Sequence, residues 1–260
     1  MNILQEIVLH KQAEVRQRRS RRSLESLKNA SRTAPLVPFG AALARDGIQV
    51  IAELKRKSPS AGEIFAAADP ETVAGEYEAN GAAAISVLTD REYFGGSLEF
   101  LRRIKATVSI PVLRKDFIVS EYQIYESYVA GADAILLIAE ILEEQQLRDF
   151  YTLAREQGLE VLVEFHAREE LASVQRLEPD IVGVNTRNLE SMTTDIRWCR
   201  DVFEELPSKA VKVAESGVHT SADLIFVEES GYDAALVGTT LMKHGTPGAT
   251  LRELRGGELK

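Results

Sequence analysis

Short apolar runs recur along the chain, each followed by a polar turn and a longer amphipathic stretch. The runs are VIAEL (50–54), AISVL (84–88), PVLRK (111–115), AILLI (134–138), EVLVE (160–164), IVGVN (181–185), VKVAE (211–215) and AALVG (234–238). Near-continuous apolarity over so few residues marks parallel strands covered on both faces. Successive runs start about 26 residues apart, enough chain for a strand, a crossover helix and two turns. The stretches between them carry helix punctuation. Residues 69–81 open with Asp69 as a cap and Pro70 next, and stop at Gly81; residues 142–158 stop at Gly158; residues 221–231 offer Ser221 as a cap and Gly231 as a stop. Eight strand–helix alternations predict an α/β fold, a (β/α)8 TIM barrel. An open doubly wound sheet is the weaker alternative, because no GxGxxG follows the first run.

Residues 1–48 precede the first run and contain a helical pattern over about 3–19, with Ile3, Ile7 and Val8 on one side. A barrel does not require such an extension, so it either plugs one end or lids the mouth. The whole chain, 1–260, reads as a single barrel domain with this N-terminal helical extension.

Composition narrows the function classes. The chain has 31 basic and 40 acidic residues, a net charge of −9, so neither nucleic acid nor an anionic membrane is an expected partner. No stretch reaches the roughly 18 apolar residues of a spanning helix, and the N-terminus lacks a secretory pattern. The basic run Arg16, Arg18, Arg19, Arg21 and Arg22 reads as the solvated end of a helix, where cations suit the dipole. A single cysteine, Cys199, excludes an intrachain disulfide and a cysteine metal cage; beside Trp198 it reads as a packed thiol. A reducing, cytoplasmic setting is expected. His10, His166, His219 and His244 show no ligand spacing, so no metal is expected.

In (β/α)8 barrels the chemistry sits at the C-terminal strand ends, and polar residues crowd there: Glu53 and Lys55 after the first run, Arg114, Lys115 and Asp116 after the third, Glu164 after the fifth, Asn185 and Arg187 after the sixth, Glu215 and Ser216 after the seventh. Any one of them alone is an ordinary rim charge. Together, above apolar interiors, they form a lysine–glutamate cluster able to hold an anion and move protons without metal. Gly217, and Gly238 followed by Thr239 and Thr240, fall where such barrels bind phosphate, with a threonine expected to cap the short helix there. KSPSAG (57–62) puts Ser58 and Ser60 around Pro59, as phosphate donors or as a turn.

At these residues the sequence resembles the indole-3-glycerol-phosphate synthases along its whole length. The segments that carry the resemblance are IAELKRKSPSAG (51–62), LTDREYFGGS (88–97), PVLRKDFIVSEYQIYES (111–127), LVEFH (162–166), GVNTRNL (183–189), AESGV (214–218) and LVGTTLM (236–242). The resemblance implies a (β/α)8 barrel that closes the indole ring of 1-(2-carboxyphenylamino)-1-deoxyribulose 5-phosphate in tryptophan biosynthesis, releasing carbon dioxide and water and using no cofactor or metal. It implies Lys115 as general acid at the substrate carbonyl, and Lys55 on the anthranilate carboxylate and in the later dehydration. Glu53 and Glu164 would be the acid–base carboxylates, Asn185 would orient groups between them, and Ser216 would contact the polar chain. Phosphate would rest on Ser58, Arg187, Gly217, Gly238 and Thr239, and Phe94, Phe117 and Leu136 would wall the ring. The resemblance also places the extension near the mouth and implies a phosphorylated small molecule as partner; oligomeric state stays open, with a monomer the expectation. Some family members are fused bifunctional chains, and no further domain is expected here. Thr186 stands where the family commonly has asparagine, and Thr239 and Thr240 where serines are common. A related phosphoribosylanthranilate isomerase is disfavoured because the first strand offers no cysteine. A non-catalytic or redesigned phosphate-binding barrel is disfavoured by the intact lysines and glutamates.

Overall fold

The computed structural model describes residues 3–59, 62–188 and 193–257; Ser60 and Leu189, named above, lie outside them. Eight strands close a parallel barrel: β1 (Gln49–Leu54), β2 (Ala84–Leu88), β3 (Val112–Lys115), β4 (Ala134–Ile138), β5 (Glu160–Phe165), β6 (Ile181–Asn185), β7 (Val211–Glu215) and β8 (Ala234–Val237). Each pairs with its sequence neighbours, and β8 closes on β1 with Gln49 opposite Ala234. This is the expected (β/α)8 architecture.

The register explains why the runs are apolar throughout. Val50, Ala52, Leu54, Ile85, Val87, Val161 and Val163 face the helices, while Ile51, Leu113, Leu136, Leu162, Val213 and Leu236 fill the interior. Period-two alternation then carries Glu53, Lys115, Glu164, Asn185 and Glu215 inward, one pleat above that interior layer.

The helices are α1 (Ile3–Arg21), α2 (Leu24–Lys28), α3 (Phe39–Leu43), α4 (Pro70–Ala79), α5 (Leu98–Thr107), α6 (Glu121–Ala130), α7 (Glu144–Glu156), α8 (Arg168–Leu177), α9 (Trp198–Val202), α10 (Ser221–Glu229), α11 (Thr239–Met242) and α12 (Pro247–Leu254). Asp69 caps α4 by accepting from Thr72 N, with Pro70 in the first turn, as the sequence predicts. Two caps differ from expectation. At α10 the cap is Thr220, which accepts from Asp223 N while Asp223 returns the bond in a capping box; Ser221 is the first helical residue. At α11 the cap is Gly238, with no side-chain cap bond, and Thr239 and Thr240 lie inside the helix. The Thr240 hydroxyl instead donates to Val218 O at 2.8 Å, tying the loop after β8 to the loop after β7.

The extension packs against both ends of the barrel. At the bottom, Phe39 and Leu43 of α3 are fully buried against Ile51, Ala84, Leu162 and Ile181, and the Glu160 carboxylate caps the N–H groups of Phe39 and Gly40. At the top, α1 buries Leu4, Ile7, Lys11 and Val15, a face shifted from the one its apolar pattern suggests, with Val8 only half-buried. Val15 and Leu27 pack on Tyr122 and Val129 of α6. Nor is the basic end of α1 simply solvated, since Arg18 pairs with Glu14 and, at 2.9 Å, with Glu126 of α6.

Candidate active site

A cavity of about 160 Å³ opens at the C-terminal end of the barrel. Its lining contains every residue to which the family resemblance gives a role: Glu53, Lys55, Ser58, Phe94, Lys115, Phe117, Leu136, Glu164, Asn185, Arg187, Ser216, Gly217, Gly238 and Thr239. Its lining also takes in Glu215, which the sequence places in the strand-end cluster but to which the family resemblance gives no separate role, together with His219 and, from α1, Ile3, Leu4 and Ile7.

Lys115 is the hub. Its Nζ lies 2.5 Å from Glu215 Oε2 and 3.3 Å from Glu164 Oε2. Burial works against its proton, but the charges of Glu215, Glu164 and Glu53 outweigh that cost and hold the ammonium well above the ordinary lysine range. The two carboxyls divide in the opposite sense. Burial pushes Glu215 up to about 8, with the neighbouring Glu164 charge adding to the rise and Lys115 opposing it. Burial also pushes Glu164 upward, yet Lys115 and the Asn185 amide win and hold it below the usual range. A proton shared between two such groups is a property of the pair: burial and the Glu164 charge favour it on Glu215, while Lys115 and Asn185 disfavour it on Glu164. Glu215 Oε1 is buried and has no hydrogen-bond partner among the described residues.

Around this hub the polar side chains hold one another. Asn185 Nδ2 donates to Glu164 Oε1 at 3.0 Å, while Asn185 Oδ1 accepts from Ser216 Oγ at 2.9 Å and from Arg187 N at 3.1 Å. Ser216 has φ +69° and Gly217 φ +80°. A left-handed serine costs on the order of 1–3 kcal/mol and persists only when its surroundings impose it. Thr186 helps impose it, donating from its hydroxyl to Ser216 O at 3.1 Å; the departure from the family asparagine therefore still braces this loop.

Lys55 forms the second cationic point. Its Nζ is 3.6 Å from Glu53 Oε1 and 5.9 Å from the Phe94 ring centroid, and Phe94 lies 6.1 Å from Phe117. Burial, aided by the like charges of Lys115 and Arg187, lowers its proton affinity, although Glu53 opposes this. An ammonium at an aromatic wall matches a ligand that is at once aromatic and anionic.

Two glycines make room for carboxylates. A Cβ on Gly238 would sit 2.4 Å from Glu53 Oε1, and one on Gly183 would sit 2.3 Å from Glu215 Oε1. The φ of Gly238 is −122°, which any residue adopts, so the need for glycine there comes from Glu53, a reason the sequence pattern did not suggest.

Other candidates fall away from the mouth. Cys199 is buried in α9, and burial pushes its thiol up to about 12, so it is inert packing. His166 pairs with Glu140 at 2.8 Å and does not line the cavity. Arg114, turned outward by the same alternation that carries Lys115 inward, is fully buried away from the cavity, bonding Thr89, Ser127 and Asp116. The sequence places Glu215 in the strand-end cluster; its direct pairing with Lys115 is not legible there, because that contact joins β3 to β7 across the barrel.

Known proteins share this arrangement of chain. A solved 3-hexulose-6-phosphate synthase from Salmonella typhimurium superposes with a TM-score of 0.65 at 16% identity, covering 80% of this chain and 97% of that one; it shares the fold. Indole-3-glycerol phosphate synthase 1 of Streptomyces coelicolor is 44% identical over 255 residues, 98% of this chain and 95% of that protein. Indole-3-glycerol phosphate synthase of Thermoanaerobacter pseudethanolicus is 42% identical over 241 residues, 93% and 92% of the two chains. The family model for indole-3-glycerol phosphate synthase matches residues 4–254, and the chain belongs to that family.

Proposed function

We propose that the cavity closes the indole ring of 1-(2-carboxyphenylamino)-1-deoxyribulose 5-phosphate, giving indole-3-glycerol phosphate, carbon dioxide and water. The observation that carries this reading is the Lys115 ammonium held 2.5 Å from Glu215 and 3.3 Å from Glu164, beside Lys55 at the Phe94 wall. The substrate presents an aromatic carboxylate, a ketone and a phosphate, and the cavity has a counterpart for each. Lys55 takes the carboxylate against the Phe94 and Phe117 rings, with Leu136 behind them. Arg187, Ser58 and the backbone at Gly217, Gly238 and Thr239 take the phosphate.

Folding the substrate brings the carboxylate-bearing ring carbon onto the ketone carbon, and Lys115 donates a proton to the oxygen that becomes hydroxyl. Loss of carbon dioxide restores the aromatic ring. The hydroxyl then leaves as water while a carboxylate, Glu164 or Glu53, removes the proton that completes the indole; Lys55, whose burial eases release of its proton, donates to the leaving oxygen. Asn185 and Ser216 keep Glu164 oriented through these steps. Residues 1–48 act as an extension of one barrel domain, with α1 roofing the site. The same reading takes the chain as a cytoplasmic monomer that needs neither nucleic acid nor membrane; no helix among the described residues is long and apolar enough to cross one.

A steady-state assay with that substrate, following indole fluorescence in buffer containing a chelator, tests the proposal. Product at an ordinary enzymatic rate is expected. Tight phosphate-dependent binding without product would leave a ligand-binding barrel instead.

A further inference from the structure

The buried face of α1 carries a charge. Lys11 is fully buried, and its Nζ lies 2.7 Å from Glu14 Oε2, 2.7 Å from Asp90 Oδ2 and 2.9 Å from Asp116 Oδ1. A lysine is almost never fully buried unless paired, and here two of its partners belong to the barrel mouth. Asp116 directly follows Lys115. Its carboxylate also accepts from Thr89 Oγ1 at 2.7 Å, Arg114 Nη2 at 2.9 Å and Phe117 N at 2.9 Å. Asp90 lies in the loop after β2 that carries Phe94, and accepts from Tyr93 N at 2.7 Å. Tyr93 reaches back to α1, donating to Glu6 at 3.0 Å and meeting the His10 ring edge-on at 5.7 Å. One turn before Lys11, Ile7 lines the cavity.

From this geometry we infer that Lys11 is a positioning residue for the reaction: it pins α1 over the mouth and, through Asp116 and Asp90, sets the strand end bearing Lys115 and Phe117 and the loop bearing Phe94. The inference rests on the proposed role of Lys115. Removing the lysine leaves Asp90 and Asp116 facing each other in a buried space with their shared cation gone, so the two mouth segments separate and α1 lifts. A displacement of about 1 Å at a reacting group costs on the order of a hundredfold in rate, whereas an α1 that only adds stability leaves the chemical step alone once the protein is folded.

Lys11→Met is the variant to test, with Asp90→Asn as a milder second cut at the same pin should the first not fold. The expected result is a fall in kcat of about tenfold or more at saturating substrate, well below the melting temperature. Loss of melting temperature with kcat and KM unchanged overturns the inference, and for Asp90→Asn an unchanged kcat does the same. Amide hydrogen exchange separates this from failure of the proposed function. Even if the wild type turns over no substrate, Lys11→Met should exchange the α1 amides at least about tenfold faster while the barrel strands stay protected. Unchanged protection of α1 overturns the pin.

Discussion

At the scale of the residue, the site is defined by unequal protonation of like groups. Lys115 and Lys55 are both half-buried, yet neighbouring acidic groups hold the proton on one while burial and two like charges loosen it on the other. Lys115→Met should therefore remove a proton donor and leave the anchors: kcat should fall on the order of 10²–10⁴-fold, with binding of a product analogue within about tenfold of wild type. Near-normal kcat would take Lys115 out of the general-acid role. Glu215 gives a second, sign-defined expectation. Its folded-state affinity for the proton is raised, from an ordinary 4.5 to about 8, so the stabilisation it brings is complete below the ordinary carboxylate range. That stabilisation is lost as pH rises through about 8. Denaturant titrations of wild type and Glu215→Gln should diverge accordingly, the wild type losing stability between about pH 5 and pH 9 and the glutamine variant losing less. Parallel pH dependence would show that Glu215 is ionised throughout.

At the scale of the element, what was legible in the sequence was what repeats. Strand positions followed from apolar runs because both faces of each strand are covered, and the polar residues at the strand ends stood out against them; Phe94, Phe117, Leu136 and the roles of the others could be named before any geometry only through the family resemblance. What stayed hidden depends on contacts between distant elements. Lys11 reads as a solvent-facing lysine in α1 because its carboxylates come from the β2 and β3 ends. Cap assignment failed by one residue at α10, because Thr220 and Ser221 are chemically alike and only backbone geometry separates them. Thr220→Ala should cost about 1 kcal/mol through loss of the capping box, and Ser221→Ala less than about half of that, read by chemical denaturation. Gly238 makes the sharper case. Gly238→Ala puts a methyl 2.4 Å from Glu53 Oε1, the mobile tip of a side chain, so the backbone need not shift. The expected outcome is a melting temperature close to wild type with kcat/KM reduced about tenfold or more, since a displaced carboxylate is a misplaced catalytic group. Equal loss of stability and activity would mean that the barrel, and not Glu53, absorbs the methyl.

At the scale of the molecule, the extension divides its labour between the two ends of the barrel. The pattern left plug and lid as alternatives, and only the family resemblance favoured the mouth, because an amphipathic helix announces a buried face without naming what covers it; α1 and α3 pack at opposite ends, joined by a connector that Arg32 fastens to Asp133 at 2.8 Å. This division makes stability and catalysis separable. Phe39, fully buried at the foot of the barrel, closes an interior whose upper layer is the Lys115–Glu164–Glu215 cluster, with the layer of Ile51, Leu113, Leu162 and Leu236 between them. Phe39→Ala opens a cavity at the foot and should cost about 3–5 kcal/mol, seen as a melting temperature lowered on the order of 10 °C. The intervening layer is close-packed and tied by parallel strand pairing, so the mouth should keep its geometry while the protein stays folded. At 25 °C kcat and KM of Phe39→Ala should accordingly remain within about twofold of wild type, the reverse of the pattern expected for Lys11→Met. A matching fall in kcat for both variants would mean that the two ends of the barrel are mechanically coupled, and that the interior layer transmits strain instead of isolating the site.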